Sequence, residues 1–207
     1  MKSGTLTMPI HPTAILAPHV LVREGAFIGP YSVIGFPDTQ DTQGITIDHH
    51  EYLSTIIDAG VVIHSHCFIA QGVTIDSDCL IESHSYIGSR SHLLQGVELE
   101  YGARIYQDVI VGSRTSIGGF VCNKSKIGSG CVIQGKLIHA RKVQGNEPSP
   151  IVEDNVFVGT DALVIGGITL RSGAYVAAGS VVTRDVSCNT LVKGSPACEA
   201  GSAPLWK

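Results

Sequence analysis

An aliphatic residue recurs at every sixth position through the middle of the chain. These positions are Ile57, Ile63, Ile69, Ile75, Ile81, Ile87, Leu93, Leu99, Ile105, Val111 and Ile117. A small or β-branched residue stands four positions after each, from Val61 to Val121. A helix repeats every 3.6 residues and a strand every two, so a six-residue period belongs to neither alone. It predicts a hexapeptide β-helix, a triangular prism with about three hexads in each coil.

The same period continues toward both ends of the chain. An early block runs from Ile10 to Ile34, and a last block runs from Val152 to Val182. Two stretches interrupt it, at about 36–54 and 140–150, and turn-forming residues there predict loops thrown out from the corners. We expect a single β-helix domain over residues 1–207, with a tail at about 188–207 that covers the last open edge.

The repeat also predicts which residues are neighbours. Strands of successive coils pair in parallel, so each residue is expected to lie over the one eighteen positions earlier. After Ile117 the period slips by two residues and resumes at Ile127, Ile133 and His139, which puts His139 in an aliphatic slot. The register predicts three neighbouring columns, formed by His66 with His84, by His64 with Glu82 and Glu100, and by Phe68 with Tyr86.

Composition narrows the function classes. A net charge of −4 and a pI near 6.1 provide no basic field for nucleic acid. No apolar run reaches the roughly 20 residues of a membrane span, and no signal-peptide core opens the chain, so we expect a cytoplasmic protein without membrane or nucleic-acid partners. The six cysteines show no CxxC spacing, and Cys67, Cys79 and Cys131 fall at small inward positions, so disulfides are not expected.

Two segments resemble the hexapeptide-repeat acyltransferases, whose fold is a left-handed β-helix. They are HPTAILAPHVLVREGAFIGPYSVIG near the start and VEDNVFVGTDALVIGGITLRSGAYVAAGSVVTRDVSCNTLVKGSPA near the end, where Ser187 replaces a common proline. The resemblance implies an all-β, left-handed parallel β-helix. It also implies a homotrimer with active sites between subunits, and acetyl-CoA or another acyl-CoA as co-substrate.

The resemblance also implies positions for the coenzyme. The turns around Thr160 and Ala178 would line its pantetheine arm, and Arg184 and Lys193 would meet its phosphates. The alternative is that the first two are ordinary coil corners and that the two cations are solvated surface charges.

Acyl transfer from a thioester requires a base that takes a proton from the attacking amine or hydroxyl, a role that suits histidine. His139 precedes the second loop, as the catalytic histidine does in galactoside- and maltose-type acetyltransferases. His84 and His66 are candidates from the register alone, with Glu82 beside them to orient a ring. The alternatives are that His139 only ends a coil and that the stacked pair is a solvated polar ladder.

The resulting hypothesis is N-acetylation of a small-molecule amino sugar, either free or nucleotide-linked, by direct attack on the thioester. O-acetylation and amino-acid succinyl or acetyl transfer remain open. A zinc hydratase of the γ-carbonic anhydrase type needs three protein ligands, and its two histidines separated by four residues are missing, so no metal is expected. A non-enzymatic scaffold would be expected to expose apolar faces, whereas the outward positions here are mostly polar.

Overall fold

A computed structural model describes residues 9–38, 52–140 and 148–206. These residues form 27 strands joined by turns, and they include no helix of the length and hydropathy needed to cross a membrane. The strands build three sheets, A, B and C, which are the three sides of a left-handed prism. Each coil of the chain passes through B, then C, then A.

The strands of each sheet come from successive coils. Sheet B contains β1 (Ile15–Leu16), β4 (Val33–Phe36), β7 (Phe68–Ala70), β10 (Tyr86–Ile87), β13 (Arg104–Ile105), β16 (Phe120–Val121), β19 (Lys136–Ile138), β22 (Leu163–Ile165) and β25 (Val181–Val182). Sheet C contains β2 (Val20–Val22), β5 (Thr55–Ile57), β8 (Thr74–Ile75), β11 (His92–Leu93), β14 (Ile110–Val111), β17 (Lys126–Ile127), β20 (Ile151–Val152) and β23 (Thr169–Leu170). Sheet A contains β3 (Phe27–Ile28), β6 (Val62–Ile63), β9 (Leu80–Ile81), β12 (Glu98–Leu99), β15 (Ser116–Ile117), β18 (Val132–Ile133), β21 (Phe157–Val158), β24 (Tyr175–Val176), β26 (Thr190–Gly194) and β27 (Ala197–Ser202).

The predicted inward positions form the core of the prism. The aliphatic residues from Ile57 to Ile117 are all fully buried, and each stacks on its equivalent in the next coil, as Ile87 does on Ile69. Burial of this continuous apolar column is the main stabilising contribution, because each strand alone is too short to persist in water. The predicted β-helix is therefore confirmed. Cys67, Cys79 and Cys131 are buried as expected, and all six cysteines are free.

Two corners depart from the repeat. The turn from sheet A to sheet B normally has four residues, as between β9 and β10, but it has two at 118–119 and again at 134–135. Val121 consequently pairs with Ile105, and Leu137 with Val121, at an offset of sixteen residues. The prediction that His139 fills an aliphatic slot is wrong: Leu137 is the buried residue and His139 is half-buried after the strand. A six-residue count from Ile133 misses the second short corner.

Both predicted loops leave the same edge of the prism, the corner from sheet B to sheet C. The first connects β4 to β5 and the second connects β19 to β20. Residues 39–51 and 141–147, which make up most of these loops, lie outside the described residues. The tail forms a hairpin at the end of sheet A, where β26 pairs with β24 in parallel and with β27 antiparallel.

A buried carboxylate fixes the start of the first loop. Asp38 is 4% exposed, and its Oδ2 accepts hydrogen bonds from the Ser89 N–H (3.0 Å), the Ser89 hydroxyl (3.0 Å) and Gln107 Nε2 (2.8 Å). At the other end of the loop, the Leu53 N–H donates to Gln71 Oε1 (3.1 Å). Ser89, Gln107 and Gln71 belong to three successive coils, so both ends of the loop are held against the B–C corner.

Candidate functional site

Four rings form a column along the corner between sheets A and B, through edge and tilted contacts. The ring centroids of Tyr31 and His66 are 5.1 Å apart, those of His66 and His84 are 5.1 Å apart, and those of His84 and Tyr101 are 5.3 Å apart. Tyr31, His66 and His84 occupy the left-handed turn position, with φ of 58°, 61° and 64°. The predicted stacking of His66 on His84 is confirmed, and both imidazoles are exposed at the corner.

Glu82 lies in the same turn as His84 but does not orient its ring. The Glu82 carboxylate accepts the Tyr101 N–H at 2.9 Å and so fixes the turn of the next coil. Among the residues that the structure describes, the imidazole–carboxylate hydrogen bond is found on sheet C, between His92 Nε2 and Asp76 Oδ1 at 2.9 Å. The register puts β8 beside β11, but Asp76 lies two residues past the partner of His92, so the contact is diagonal and the repeat alone does not predict it.

A shallow groove of about 380 Å³ lies between the ring column and the outer face of sheet B. The stacked pair of Phe68 and Tyr86, predicted from the register, forms one side, with centroids 5.5 Å apart and an interplanar angle of 9°. Residues that line the groove are His66, Phe68, His84, Ser85, Tyr86, Arg104 and Tyr106. The groove therefore brings two candidate histidines, several aromatic rings and one cation together.

The two short turns form a notch at this corner, directly after Tyr101. Inside the notch, Glu100 Oε1 accepts hydrogen bonds from the Ser116 hydroxyl (2.8 Å) and from Gln134 Nε2. Gly118 lies against this cluster, and a Cβ at the neighbouring Gly119 would overlap the backbone carbonyl oxygen of Gly135. Close contact between these coils therefore requires glycine at 119, and the corner is cut back by two residues on two successive coils.

The predicted coenzyme turns lie beyond the notch on the same corner. Thr160 and Ala178 are exposed in neighbouring turns, which the Gly179 N–H joins by donating to the Thr160 carbonyl at 2.9 Å. The turn that holds Thr160 is four coils from the turn that holds His84, about 19 Å along the axis at the usual strand spacing. The ring column, the notch and these turns thus follow one edge of the prism.

The two predicted phosphate-binding cations lie near the end of the chain. Arg184 lines a depression of about 230 Å³ together with Asp185 and Glu199. Because these carboxylates line the same depression, its charge is mixed. Lys193 is exposed on β26 opposite Cys198 of β27. Their role in binding phosphates stays a prediction.

His139 lies at the opposite edge of sheet B from the ring column. Its Nε2 is 3.1 Å from the Asn123 carbonyl oxygen, to which the Ser149 hydroxyl also donates. Because a carbonyl oxygen can only accept, Nε2 is the donor in this contact. β19 is three strand spacings from β10, about 14 Å along the axis. Within one chain, His139 and His84 are therefore too far apart to act in one site.

The buried thiols take no part in this chemistry. Burial raises the pKa of Cys67 and of Cys122, and it raises the pKa of Cys79 from 9.0 to about 11. All three thiols are therefore neutral near pH 7, and a neutral thiol is a poor nucleophile. Across the described ranges, no group of three histidine, cysteine, aspartate or glutamate residues is arranged to hold a metal ion.

Comparisons with known proteins place the fold. The model of the hexapeptide repeat of succinyl-transferase matches residues 151–184. The bifunctional protein GlmU of Bartonella bacilliformis is 27% identical over 172 residues, which cover 73% of this chain and 38% of GlmU. A serine acetyltransferase of Synechococcus elongatus is 35% identical over 107 residues, which cover 51% of this chain and 43% of the enzyme. The chain thus spans less than half the length of these curated relatives.

Among solved structures, UDP-N-acetylglucosamine O-acyltransferase (LpxA) of Moraxella catarrhalis RH4 has a TM-score of 0.67 at 18% identity, over 95% of this chain and 75% of that one. This likeness extends over nearly the whole prism and confirms the left-handed β-helix. Together with the matched repeat, it confirms the resemblance to hexapeptide-repeat proteins that the sequence predicts.

Proposed function

We propose that this protein is a CoA-dependent acyltransferase that acetylates the amino group of a sugar, either free or nucleotide-linked. The observation that carries the proposal is the continuous A–B corner, on which His84 and the turns at Thr160 and Ala178 lie on either side of the notch. The names of the relatives support the class, because a serine acetyltransferase and a sugar-nucleotide O-acyltransferase are among them.

In the proposed reaction, the sugar amine attacks the carbonyl carbon of the thioester. A neutral imidazole accepts the amine proton as the tetrahedral intermediate forms, and collapse of that intermediate releases the CoA thiol. His84 is the base favoured by the shared corner, and the His66 ring lies beside it at 5.1 Å. His139 is the second candidate, because it lies half-buried directly after β19, before the second loop. Glu82 contributes by fixing the turn beside His84.

We also propose that the protein works as a cytoplasmic homotrimer. The support is the resemblance to the hexapeptide-repeat acyltransferases and the shallowness of each face of a single prism, because a concave site then requires a neighbouring subunit. Leu21, Ile110 and Ile151 point outward from sheet C and are 57%, 45% and 47% exposed, but they lie on separated strands and form no continuous patch. Sedimentation equilibrium measures the mass of the assembly directly.

Turnover of single-histidine variants tests the proposal. We expect His84→Ala or His139→Ala to lower kcat about 10²- to 10⁴-fold, measured as release of the CoA thiol from acetyl-CoA with glucosamine 1-phosphate as acceptor. His19→Ala is the matched control, because His19 is also an exposed imidazole but lies in the first coil, before β2, away from both candidates. Full turnover in both His84→Ala and His139→Ala at saturating substrate would refute the assignment of a histidine base.

A further inference from the structure

The notch in the A–B corner contains two acceptor oxygens that lack a donor. Glu100 Oε1 accepts hydrogen bonds from the Ser116 hydroxyl at 2.8 Å and from Gln134 Nε2. Because a carboxylate can only accept, the amide nitrogen of Gln134 faces Glu100, and its amide oxygen is left for another partner. Among the described residues, no group donates to Gln134 Oε1 or to Glu100 Oε2. Neither oxygen is sealed from solvent, so both are accessible acceptors.

These two oxygens converge on one point beside Gly118. A Cβ on Gly118 would lie 2.5 Å from Gln134 Oε1 and 2.6 Å from Glu100 Oε2. Since Gly118 has no side chain, a donor nitrogen placed just outside this point would be within hydrogen-bond distance of both oxygens. Glu100, Gly118 and Gln134 are all half-buried, so the point is open at the corner. The notch is therefore shaped to hold an N–H group.

The notch lies midway between the coenzyme turns and the candidate base. The Gly118 turn follows β15, whereas the His84 turn follows β9 and the Thr160 turn follows β21, so each is two coils away. At the usual strand spacing, two coils are about 10 Å along the axis. A pantetheine arm that passes Thr160 and delivers its thioester to His84 therefore crosses the notch. The arm contains amide N–H groups, and the last of them is next to the thioester.

We propose that Glu100 Oε2 and Gln134 Oε1 accept the last amide N–H of the pantetheine arm and so position the thioester beside His84. The single hydrogen is shared between the two oxygens in a three-centre bond. Four bonds separate this nitrogen from the thioester carbonyl carbon, about 5 Å when extended. The remaining 5 Å or so fits an attacking nitrogen about 3 Å from both the carbonyl carbon and the imidazole. This inference rests on the proposed function and adds two positioning residues.

Calorimetric titration of the full chain and of Glu100→Gln tests this contact. The probes are acetyl-CoA and adenosine 3′,5′-bisphosphate, which has the adenosine and phosphate groups of CoA but no pantetheine arm. Glu100→Gln keeps one oxygen that accepts from Ser116 and Gln134, but it puts an amide nitrogen, which cannot accept, in the place of Oε2. We therefore expect acetyl-CoA to bind about tenfold more weakly and adenosine 3′,5′-bisphosphate to bind as in the wild type.

A second variant and a matched control make the assignment specific. Gly118→Ala places a methyl group where the N–H would bind, and this methyl meets only the ends of two flexible side chains, which can turn outward without moving the backbone. We expect it also to weaken acetyl-CoA about tenfold and to leave adenosine 3′,5′-bisphosphate unchanged. The control is Glu98→Gln, because Glu98 is an exposed carboxylate on β12, two residues before Glu100, and it should change neither ligand. The far-UV spectrum and Tm of each variant verify the fold.

Several outcomes would overturn the role of the notch. These are acetyl-CoA affinities within about twofold of the wild type in Glu100→Gln and Gly118→Ala, or equal losses for both probes, which would indicate a general change of the corner. A loss of glucosamine binding with unchanged acetyl-CoA affinity would instead assign the notch to the ammonium group of the acceptor. A protein whose acetyl-CoA affinity depends on Glu100 but that acetylates no amine would refute the proposed activity while leaving this contact in place.

Discussion

The carboxylate of Asp38 provides a sharp test of how the first loop is held to the prism. Asp38→Ala removes an acceptor from three donors on Ser89 and Gln107, and these two residues are 0% and 2% exposed. Each buried donor left without an acceptor costs about 1 kcal/mol at the low end of the usual range. We therefore expect Asp38→Ala to lower the free energy of unfolding by about 3 kcal/mol.

Urea unfolding followed by circular dichroism measures this loss, from the midpoint and the slope of the transition. Asp38→Asn retains one amide oxygen as acceptor and should lose only about half as much. The matched control is Asp58→Ala, which breaks an exposed ion pair with Arg23 at 3.3 Å and should cost less than about 1 kcal/mol.

Hydrogen exchange locates the effect. The Ser89 N–H donates to Asp38, so the protection of this amide should fall more in Asp38→Ala than in Asp58→Ala. If Asp38→Ala and Asp58→Ala unfold at the same urea concentration, with Ser89 equally protected in both, the carboxylate does not anchor the loop.

Two further predictions concern packing between coils. Burial raises the pKa of Cys79 from 9.0 to about 11, so the native state holds this proton more tightly than the unfolded chain does. The stability from this buried neutral thiol is complete below pH 9, and about 3 kcal/mol of the free energy of unfolding is lost as the pH rises through 11. Urea titrations across this range should show a smaller alkaline loss of stability for Cys79→Ala. The same dependence of stability on pH in Cys79→Ala and the wild type would contradict the assignment. Gly88→Ala should cost about 1–3 kcal/mol by thermal unfolding, because a Cβ would lie 2.7 Å from the Tyr106 carbonyl carbon. Gly102→Ala faces open space at φ +72° and should cost only about 1 kcal/mol, so the reverse order would disprove the close contact.

The six-residue period predicted most of the fold because each inward position has the same physical task in every coil. Ile69 and Ile87 stack at an offset of eighteen residues, and the same offset predicted the columns of His66 with His84 and of Phe68 with Tyr86. A residue's place in such a repeat depends on counting alone, so its neighbours follow without any tertiary information.

Counting fails where the chain changes the length of a corner. The first short turn, at 118–119, was visible as a slip after Ile117, but the second, at 134–135, was not, because the residues after it still fit a six-residue spacing. A count of six from Ile133 therefore puts His139 at an inward position, although Leu137 fills it. The inward position is two residues earlier in the chain than this count predicts.

The six-residue repeat also does not predict the polar contacts of the candidate site. The register predicted that Glu82 would be near His84, but a carboxylate on a flexible stem has several donors within reach, and the Tyr101 N–H is the one that it binds. The pairing of His92 with Asp76 is diagonal between coils and depends on side-chain rotamers. Rotamers and diagonal contacts are decided by local packing, which a period of six does not describe.

Calorimetric titration of the protein with acetyl-CoA tests the central proposal most directly, because it requires no knowledge of the acceptor. We predict saturable binding with a Kd on the order of micromolar, and a rise in the free energy of unfolding of about 2.7 kcal/mol when the ligand is at a hundred times its Kd. Absence of binding by acetyl-CoA, succinyl-CoA and free CoA alike would contradict a CoA-dependent transferase.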